Sequence, residues 1–134
     1  MADDIPRLWP LLSPQIERAL QHGQGDSVSI HAVKGQLVLG DLKMWVAYDT
    51  DEDMVLGLMI YEVLLNAKNV VVNINMIAGQ DFHRWVAPME AAIIKFRDAI
   101  PADCIEASCR PGLSKLLKKR GWKVKAIIME APDG

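Results

Sequence analysis

Residues 69–90 read NVVVNINMIAGQDFHRWVAPME, an apolar run followed by a glycine turn and then by an amphipathic pattern. The run 70–77 carries no charge, which predicts a central strand covered on both faces. From Trp85 onward, apolar residues recur every three or four positions, which predicts a helix that either begins close to Pro88 or bends there because Arg84 loses a backbone partner. A strand, a glycine turn and a helix can together hold a phosphate group, because free N–H groups and the helix dipole favour an anion there.

The segments on either side of this stretch alternate between helical and extended patterns. Helices are expected where apolar residues repeat with helical period, at residues 13–23, 26–34, 85–100 and 111–120. Strands are expected where apolar residues alternate or run without charges, at residues 43–48, 55–65, 70–77, 104–109 and 122–130, with a brief further strand at 37–39. Gly57, inside the second of these strands, is a candidate β-bulge.

These elements follow one another in the order α-α-β-β-β-α-β-α-β. The first three strands are joined by short turns and should therefore be antiparallel. A helix joins the strand at 70–77 to the strand at 104–109, so this pair should be parallel with a right-handed crossover. The sequence thus predicts an α/β (mixed α+β) fold with a mixed β-sheet and helices on both faces.

The chain has 134 residues, of which 51% are hydrophobic, and this fits a single domain over residues 1–134. Its net charge is −2, so the protein as a whole is not a general nucleic-acid binder. The charge is unevenly distributed, however, because residues 110–125 contain seven basic side chains and no acidic one. Such a segment fits either an anionic partner or an ordinary solvated helix face.

The two cysteines, Cys104 and Cys109, lack the spacing of a zinc site or a disulfide framework, which favours a reducing cytoplasmic environment. The acidic N-terminus does not resemble a signal peptide, and no apolar run is suited to span a membrane. Residues 1–12 are expected to form an irregular apolar arm that covers either the chain's own core or a neighbouring chain. A homo-oligomer is therefore one open alternative.

Three stretches resemble the GNAT superfamily of acyl-CoA-dependent N-acetyltransferases, and in particular short phage-encoded members that include an internal virion protein. The first is the hairpin MWVAYDTDEDMVLGLMIYEV. The second is the strand, turn and helix VVVNINMIAGQDFHRWVAPMEAAIIKF. The third is IEASCRPGLSKLLKKRGWKVKAIIME, with its R-P-G helix start, leucine pair and G-W before the last strand. Together these stretches span residues 43–130.

The resemblance implies that the pantetheine arm of acetyl-CoA lies between the strands at 70–77 and 104–109. It also implies that the pyrophosphate binds at the turn after the first of these strands. The cofactor-binding positions implied in this way are Ile77, Gly79, Asp81, Phe82 and Arg84.

The turn departs from the family's signature, Arg/Gln-x-x-Gly-x-Gly/Ala, because residues 78–84 read AGQDFHR and contain one glycine. Asp81 is expected to be the helix N-cap, so its carboxylate would occupy the N–H groups that a pyrophosphate needs and would also repel it. Arg84 and the basic helix at 115–120 could partly compensate for that charge. The tyrosine that often protonates the leaving thiolate in the family is absent from GLSKLLKKRG.

Two side chains are candidates for catalysis. His83 could act as a general base near neutral pH, but it equally fits a surface histidine in a turn. Glu62 lies in the strand where some members of the family place a base that acts through water. It also fits a solvent-facing position on an alternating strand. No residue set predicts a metal site.

The departures favour a non-catalytic protein-binding or virion-associated module, located in the host cytoplasm or in a phage particle, with a virion or host protein as partner. An active acetyl-CoA-dependent N-acetyltransferase is the alternative, so the enzymatic activity stays open. A nucleic-acid accessory protein that uses Arg110–Lys125 ranks last, because the basic residues are not interleaved with aromatic ones except at Trp122. No membrane partner is expected.

Overall fold

The computed structural model describes residues 9–10, 12–14, 16–17, 30–109, 111–126, 129 and 131–132. Residues 9–10, 12–14 and 16–17 are helical. The complete elements of the described part follow in the order α1-β1-β2-β3-α2-β4-α3. Their bounds are Ile30–Leu39 for α1, Lys43–Asp49 for β1, Met54–Leu65 for β2, Val70–Gly79 for β3, Phe82–Ala99 for α2, Cys104–Ala107 for β4 and Pro111–Lys119 for α3.

The four strands form one mixed sheet in the order β1-β2-β3-β4. The pairs β1–β2 and β2–β3 are antiparallel, whereas β3 and β4 are parallel, as the short turns and the connecting helix predict. Two irregularities interrupt the register, one between Ala47 and Tyr48 and one between Ile60 and Tyr61. In the first, Leu56 is the extra residue, so the bulge lies next to Gly57 and not at it.

A hydrophobic core lies on each face of the sheet. On one face α2 and α3 cover the sheet, and Met89 and Ile93 of α2 are almost fully buried there against Val72 and Ile74 of β3. On the other face the N-terminal helical residues and α1 cover the sheet, with Leu12 and Leu37 in that core. The sheet is therefore covered by helices on both faces, which confirms the predicted fold class.

The N-terminal elements differ from the prediction. The segment 37–39 is the last turn of α1 and not a strand, and Gly35 lies inside this helix and does not end it. The helical pattern already includes Trp9, and Leu12 is buried in the core, so residues 9–10 and 12 do not belong to an irregular arm. The physical reason is that apolar side chains such as Leu12 pack against the face of the sheet opposite to α2 and α3, and a helix places them on that face. Residues 1–8 lie outside the described part of the chain.

The expected strand at 122–130 is not present in its first half, because residues 122–126 belong to neither a helix nor a strand. Side-chain contacts fix this segment, since Trp122 bonds to Glu90 of α2 and Lys125 bonds to Glu106 of β4. Residues 127, 128 and 130 lie outside the described part. In the part of the chain that is described, no helix is both long and apolar enough to cross a membrane.

Candidate functional site

The sheet opens between β3 and β4. The two strands pair only from Val71 with Cys104 to Ile74 with Ala107, and one further bond joins the Ser108 N–H to the Ile74 carbonyl at 3.2 Å. β3 continues to Gly79, so its last five residues have no strand beside them on this side among the described residues. This unpaired edge of β3 is called the gap below; its closed end is at Ile74 and its open end is at the start of α2.

The backbone of β3 presents polar groups to this gap. The Gln80 N–H donates to the Leu56 carbonyl of β2 at 2.9 Å, and Ala78 pairs with Leu58 in the same ladder. Alternate residues of a strand direct their N–H and C=O groups to opposite sides. Ile77 therefore directs its backbone groups away from β2, while its side chain is buried in the core beneath α2.

The turn that follows β3 has two positive φ angles, at positions two residues apart. Gly79 has a φ of 137° and Asp81 has a φ of 53°. Both values lie in a region that glycine adopts readily and other residues seldom adopt. The Gly-x-Gly/Ala spacing of the family's signature thus has a counterpart in the conformation of this turn, although an aspartate stands at its second position.

The expected cap at Asp81 is absent. Asp81 occupies the N-cap position of α2, but its side chain makes no capping hydrogen bond. The N-cap residue of a side-chain cap typically has an extended backbone, whereas Asp81 has a left-handed one. The expectation that this carboxylate occupies the N–H groups of the first turn is therefore wrong. Among the first N–H groups of α2, that of Arg84 donates to the Asp81 carbonyl at 2.8 Å, so the N–H groups of Phe82 and His83 remain without an acceptor in the described part of the chain.

Arg84 is held beside the turn by an ion pair with the hairpin between β1 and β2. Its Nη2 atom lies 3.0 Å from Oδ2 of Asp49, and Oδ1 of Asp49 accepts the N–H groups of Asp51 and Glu52. The hydrogen bond from Arg84 lowers the pKa of Asp49, and the same bond raises the pKa of Arg84. Both groups are therefore charged at neutral pH, and Arg84 is 45% exposed, so it remains accessible to an anion.

The remaining predicted cofactor position, Phe82, is buried at the first position of α2. Its ring packs edge-on against Trp85, with the two centroids 4.8 Å apart. The structure thus brings Gly79, Asp81, Phe82 and Arg84 together at one turn. Phe82 belongs to the core at this place, and the groups that face outward are backbone N–H groups and Arg84.

The two catalytic candidates lie on different faces of the sheet. Glu62 is half-buried on β2. It lies on the same face of this strand as Leu58 and Ile60, whose side chains belong to the core beneath the N-terminal helices. His83 is exposed on the first turn of α2, on the other face. The structure therefore does not bring them together.

Glu62 belongs to a polar row at the closed end of the gap. It pairs with Asn73 of β3, and Asn73 in turn pairs with Glu106 of β4. Asn73 also donates from Nδ2 to Oδ1 of Asn75, the residue at which the β3 register shifts. All four side chains are half-buried, and Glu106 accepts a hydrogen bond from Lys125 at 2.6 Å.

The basic segment is partly neutralised. Arg120 donates to Oε1 of Glu90 at 2.5 Å, and Lys125 is paired with Glu106, a contact that raises the pKa of Lys125. Exposed lysines without an acidic partner among the described residues remain on α3 and just after it: Lys115, Lys118, Lys119 and Lys123. Arg110 lies outside the described residues.

The sequence did not single out the residues that fix the turn. Trp85 donates from Nε1 to the Gln80 carbonyl at 2.8 Å, and its ring lies against Gly57. Asp49 holds Arg84 from a hairpin 35 residues earlier in the chain. Gly57 in β2 is the sequence signal for the contact with Trp85, since a glycine inside a strand often marks a place where another group approaches the backbone closely.

No protein-family model matches the sequence, and no curated protein matches it either. The fold does match solved structures. One is a probable acetyltransferase with a TM-score of 0.70 at 14% identity, covering 98% of this chain and 95% of that chain. Another is a mutant of the BH1408 protein from Bacillus halodurans, with a TM-score of 0.69 at 15% identity, covering 98% and 96%.

A third similar structure is a predicted acetyltransferase from Clostridium acetobutylicum that was solved with acetyl-CoA. Its TM-score is 0.66 at 12% identity, and the match covers 98% of this chain and 92% of that chain. Identities this low carry information about the fold and not about the activity. The conclusion is that this chain has the GNAT acetyltransferase-like fold.

Proposed function

We propose that this protein binds acetyl-CoA in the gap between β3 and β4 and transfers the acetyl group to an amine. The observation that carries the proposal is the turn after β3. There, Gly79 and Asp81 have positive φ angles, and the carboxylate of Asp81 leaves the N–H groups of Phe82 and His83 at the start of α2 uncovered. A helix start with free N–H groups is suited to a pyrophosphate. The acetyl-CoA that accompanies the Clostridium acetobutylicum protein supports this assignment by analogy.

The residues of the turn fit such a ligand in their backbone geometry and through Arg84. The negative charge of Asp81 opposes binding of the pyrophosphate, and Arg84 in the first turn of α2 offsets part of that charge. Between Gln80 and Asn75 the strand spans about 16 Å, at roughly 3.3 Å per residue. A ligand whose phosphates bind at the turn would therefore direct its other end toward the closed end of the gap.

Glu62 is the better candidate for the base. It lies in the polar row with Asn73 and Glu106 at the closed end of the gap, whereas His83 lies at the open end beside the turn. In the proposed reaction the amine must lose a proton to attack the acetyl carbon, and Glu62 accepts this proton directly or through one water. The bond between nitrogen and the acetyl carbon forms as the carbon–sulfur bond of the thioester breaks, and the coenzyme thiolate takes up the proton that the acylated nitrogen releases.

Calorimetric titration of the protein with acetyl-CoA, together with an assay of thiol release in the presence of amines, tests the proposal. We expect saturable binding and a Glu62→Gln variant that retains the affinity but loses at least about tenfold in kcat. Glu52→Gln, at the exposed tip of the hairpin, is the matched control and should retain both. Absence of heat and of turnover at millimolar acetyl-CoA would rule the enzyme out.

A non-catalytic protein-binding module is the second candidate, and the resemblance to phage proteins would make it virion-associated or directed at a host protein. The end of β2 favours it. β1 begins at Lys43, opposite Tyr61, so the β2 segment 62–65 has no β1 partner, and Leu65 at its end is 79% exposed. An apolar strand edge of this kind pairs readily with another chain.

Light scattering over a range of concentrations tests whether this edge pairs with a second copy. A dimer that forms in the wild type and is lost in Leu65→Lys would support the module. Val124→Lys, on another exposed apolar side chain, is the control that should leave the dimer intact. A monomer at every concentration would show that this edge does not pair with a second copy. The partner of the module would then have to be a different protein.

A further inference from the structure

Trp85 occupies the space that a side chain at position 57 would fill. A β-carbon built on Gly57 would lie 2.2 Å from Cζ2 and 2.6 Å from Cε2 of the indole. Trp85 is 3% exposed, and the rings of Phe82 and Trp45 pack around it with centroids 4.8 and 6.1 Å away. Contacts with Gly57, Phe82 and Trp45 therefore fix the position of the indole.

The fixed indole is hydrogen-bonded to the backbone carbonyl of Gln80. Its Nε1–H donates to the Gln80 carbonyl at 2.8 Å, while the Gln80 N–H donates to the Leu56 carbonyl at 2.9 Å. Gln80 is itself exposed, yet both of its backbone polar groups are bonded to the core side of the turn. Its backbone conformation is thus determined by a strand on one side and by Trp85 on the other.

The consequence concerns the next N–H group along the chain. The peptide unit between Gln80 and Asp81 is planar and trans, so the N–H of Asp81 points in the opposite direction to the carbonyl that Trp85 holds. Asp81 is exposed, and its N–H has no acceptor among the described residues. This donor therefore faces solvent directly before the uncovered N–H groups of α2.

We propose that Trp85 is a positioning residue that orients the Asp81 N–H toward the phosphates of the bound coenzyme. This inference rests on the proposed function. Trp85 does not touch the ligand, because its indole is buried and its one polar atom is already bonded to Gln80. It acts by keeping the peptide unit between residues 80 and 81 in the orientation that exposes the donor, so that no free energy of binding is spent on ordering it.

The experiment compares Trp85→Phe with Trp45→Phe in the full-length, ¹⁵N-labelled chain. The first variant loses the donor to Gln80 and keeps a ring in the core, whereas the second changes a neighbouring ring that makes no bond to the turn. We expect acetyl-CoA affinity to fall about tenfold in Trp85→Phe, as loss of this partly buried hydrogen bond implies, and to change less than about twofold in Trp45→Phe.

The amide resonance of Asp81 separates positioning from a general loss of stability. At saturating acetyl-CoA, its binding-induced shift should be large in the wild type and in Trp45→Phe but lost in Trp85→Phe. An unchanged shift in Trp85→Phe would overturn the inference. If Trp85→Phe fails to fold, Trp85→Met is the second variant, because its flexible side chain fills the core without donating to Gln80. The same loss of the Asp81 shift is expected there.

A measurement without ligand keeps this inference distinct from the proposed function. In the free protein, the Gln80 amide should exchange with solvent at least about tenfold faster in Trp85→Phe than in the wild type, because the turn loses one of its two attachments. Equal exchange in the two proteins would refute the role of Trp85 even if acetyl-CoA binds. Failure of the wild type to bind acetyl-CoA, with faster exchange in the variant, would refute only the proposed function.

Discussion

Gly57 and Gly79 face each other across β2 and β3, and neither position has room for a β-carbon. On Gly57 the space is taken by the ring of Trp85. On Gly79 a β-carbon would lie 2.3 Å from the Leu56 carbonyl oxygen and 2.4 Å from the α-carbon of Gly57. The two backbones thus approach each other more closely than side chains would allow, and this contact fixes where the turn leaves the sheet.

Gly79→Ala should destabilise the protein strongly. The added carbon meets backbone atoms of β2, which cannot move aside as a flexible side chain can, and the φ of 137° is strained for alanine. We expect a loss of at least about 2 kcal/mol in the free energy of unfolding, measured by urea denaturation. Gly35→Ala is the control, because it lies inside α1 with open space around it and should gain about 0.5–1 kcal/mol. Similar effects at the two sites would contradict this account of the turn.

Asp81→Gly should tighten acetyl-CoA binding. The substitution removes a negative charge beside the helix start and places glycine where the backbone already has a φ of 53°. Because Asp81 makes no capping bond, the free energy of unfolding of the variant should not fall below that of the wild type. Asp81→Asn removes only the charge, so calorimetry on both variants separates the electrostatic gain from the conformational one. Weaker binding in both would show that the carboxylate assists the ligand.

The ion pair between Asp49 and Arg84 should make stability depend on pH in the acidic range. The pKa of Asp49 is lowered in the folded state from an ordinary value of 3.8, chiefly by the hydrogen bond from Arg84. Its contribution is therefore present above that value and is lost as the pH falls through the lowered one. Denaturation of wild type and Asp49→Asn should show a difference at pH 6 that disappears once the pH has fallen below the lowered pKa of Asp49.

Asn at position 49 can still accept the N–H groups of Asp51 and Glu52, so this comparison isolates the charged partner Arg84. The pair is exposed on the Arg84 side, and its effect should shrink as salt is added. A difference that stays constant from pH 6 to pH 2 would contradict the assignment.

Glu90 should hold the segment after α3 against α2. Its two carboxylate oxygens accept hydrogen bonds from Arg120 and from the indole of Trp122 at 2.5 and 2.7 Å, and its side chain is 17% exposed. Glu90→Gln replaces one acceptor by a donor, so we expect a loss of about 1–2 kcal/mol in unfolding free energy. The indole N–H resonance of Trp122 should shift, and an unchanged resonance would contradict the contact.

The sequence predicts the sheet well because its signals are local. Apolar runs, either alternating or free of charge, and short turns indicate the four strands of the sheet and their directions, and the helical period of α2 indicates the face that covers them. Pro88 left the start of this helix open, and the structure starts it at Phe82 with the proline inside. The segment 37–39 was predicted wrongly, because three apolar residues fit a strand and a buried helix turn equally well.

The candidate site is less predictable because it depends on contacts between distant residues. Asp81 was interpreted from its residue type as a capping aspartate, whereas its left-handed backbone is imposed by the turn that Gly79 and Trp85 fix. The pair of Asp49 with Arg84 joins residues 35 positions apart, and no spacing in the sequence indicates it. The separation of Glu62 and His83 onto opposite faces likewise requires the register of the sheet.

The most direct test of the central claim is a titration of the ¹⁵N-labelled protein with acetyl-CoA, followed by two-dimensional NMR. The account predicts saturable shifts of the backbone amides from Gly79 to Arg84 and of Ile77, with little change at Leu65, the exposed end of β2. No shift at Gly79–Arg84 at millimolar acetyl-CoA, or shifts confined to other surfaces, would contradict it.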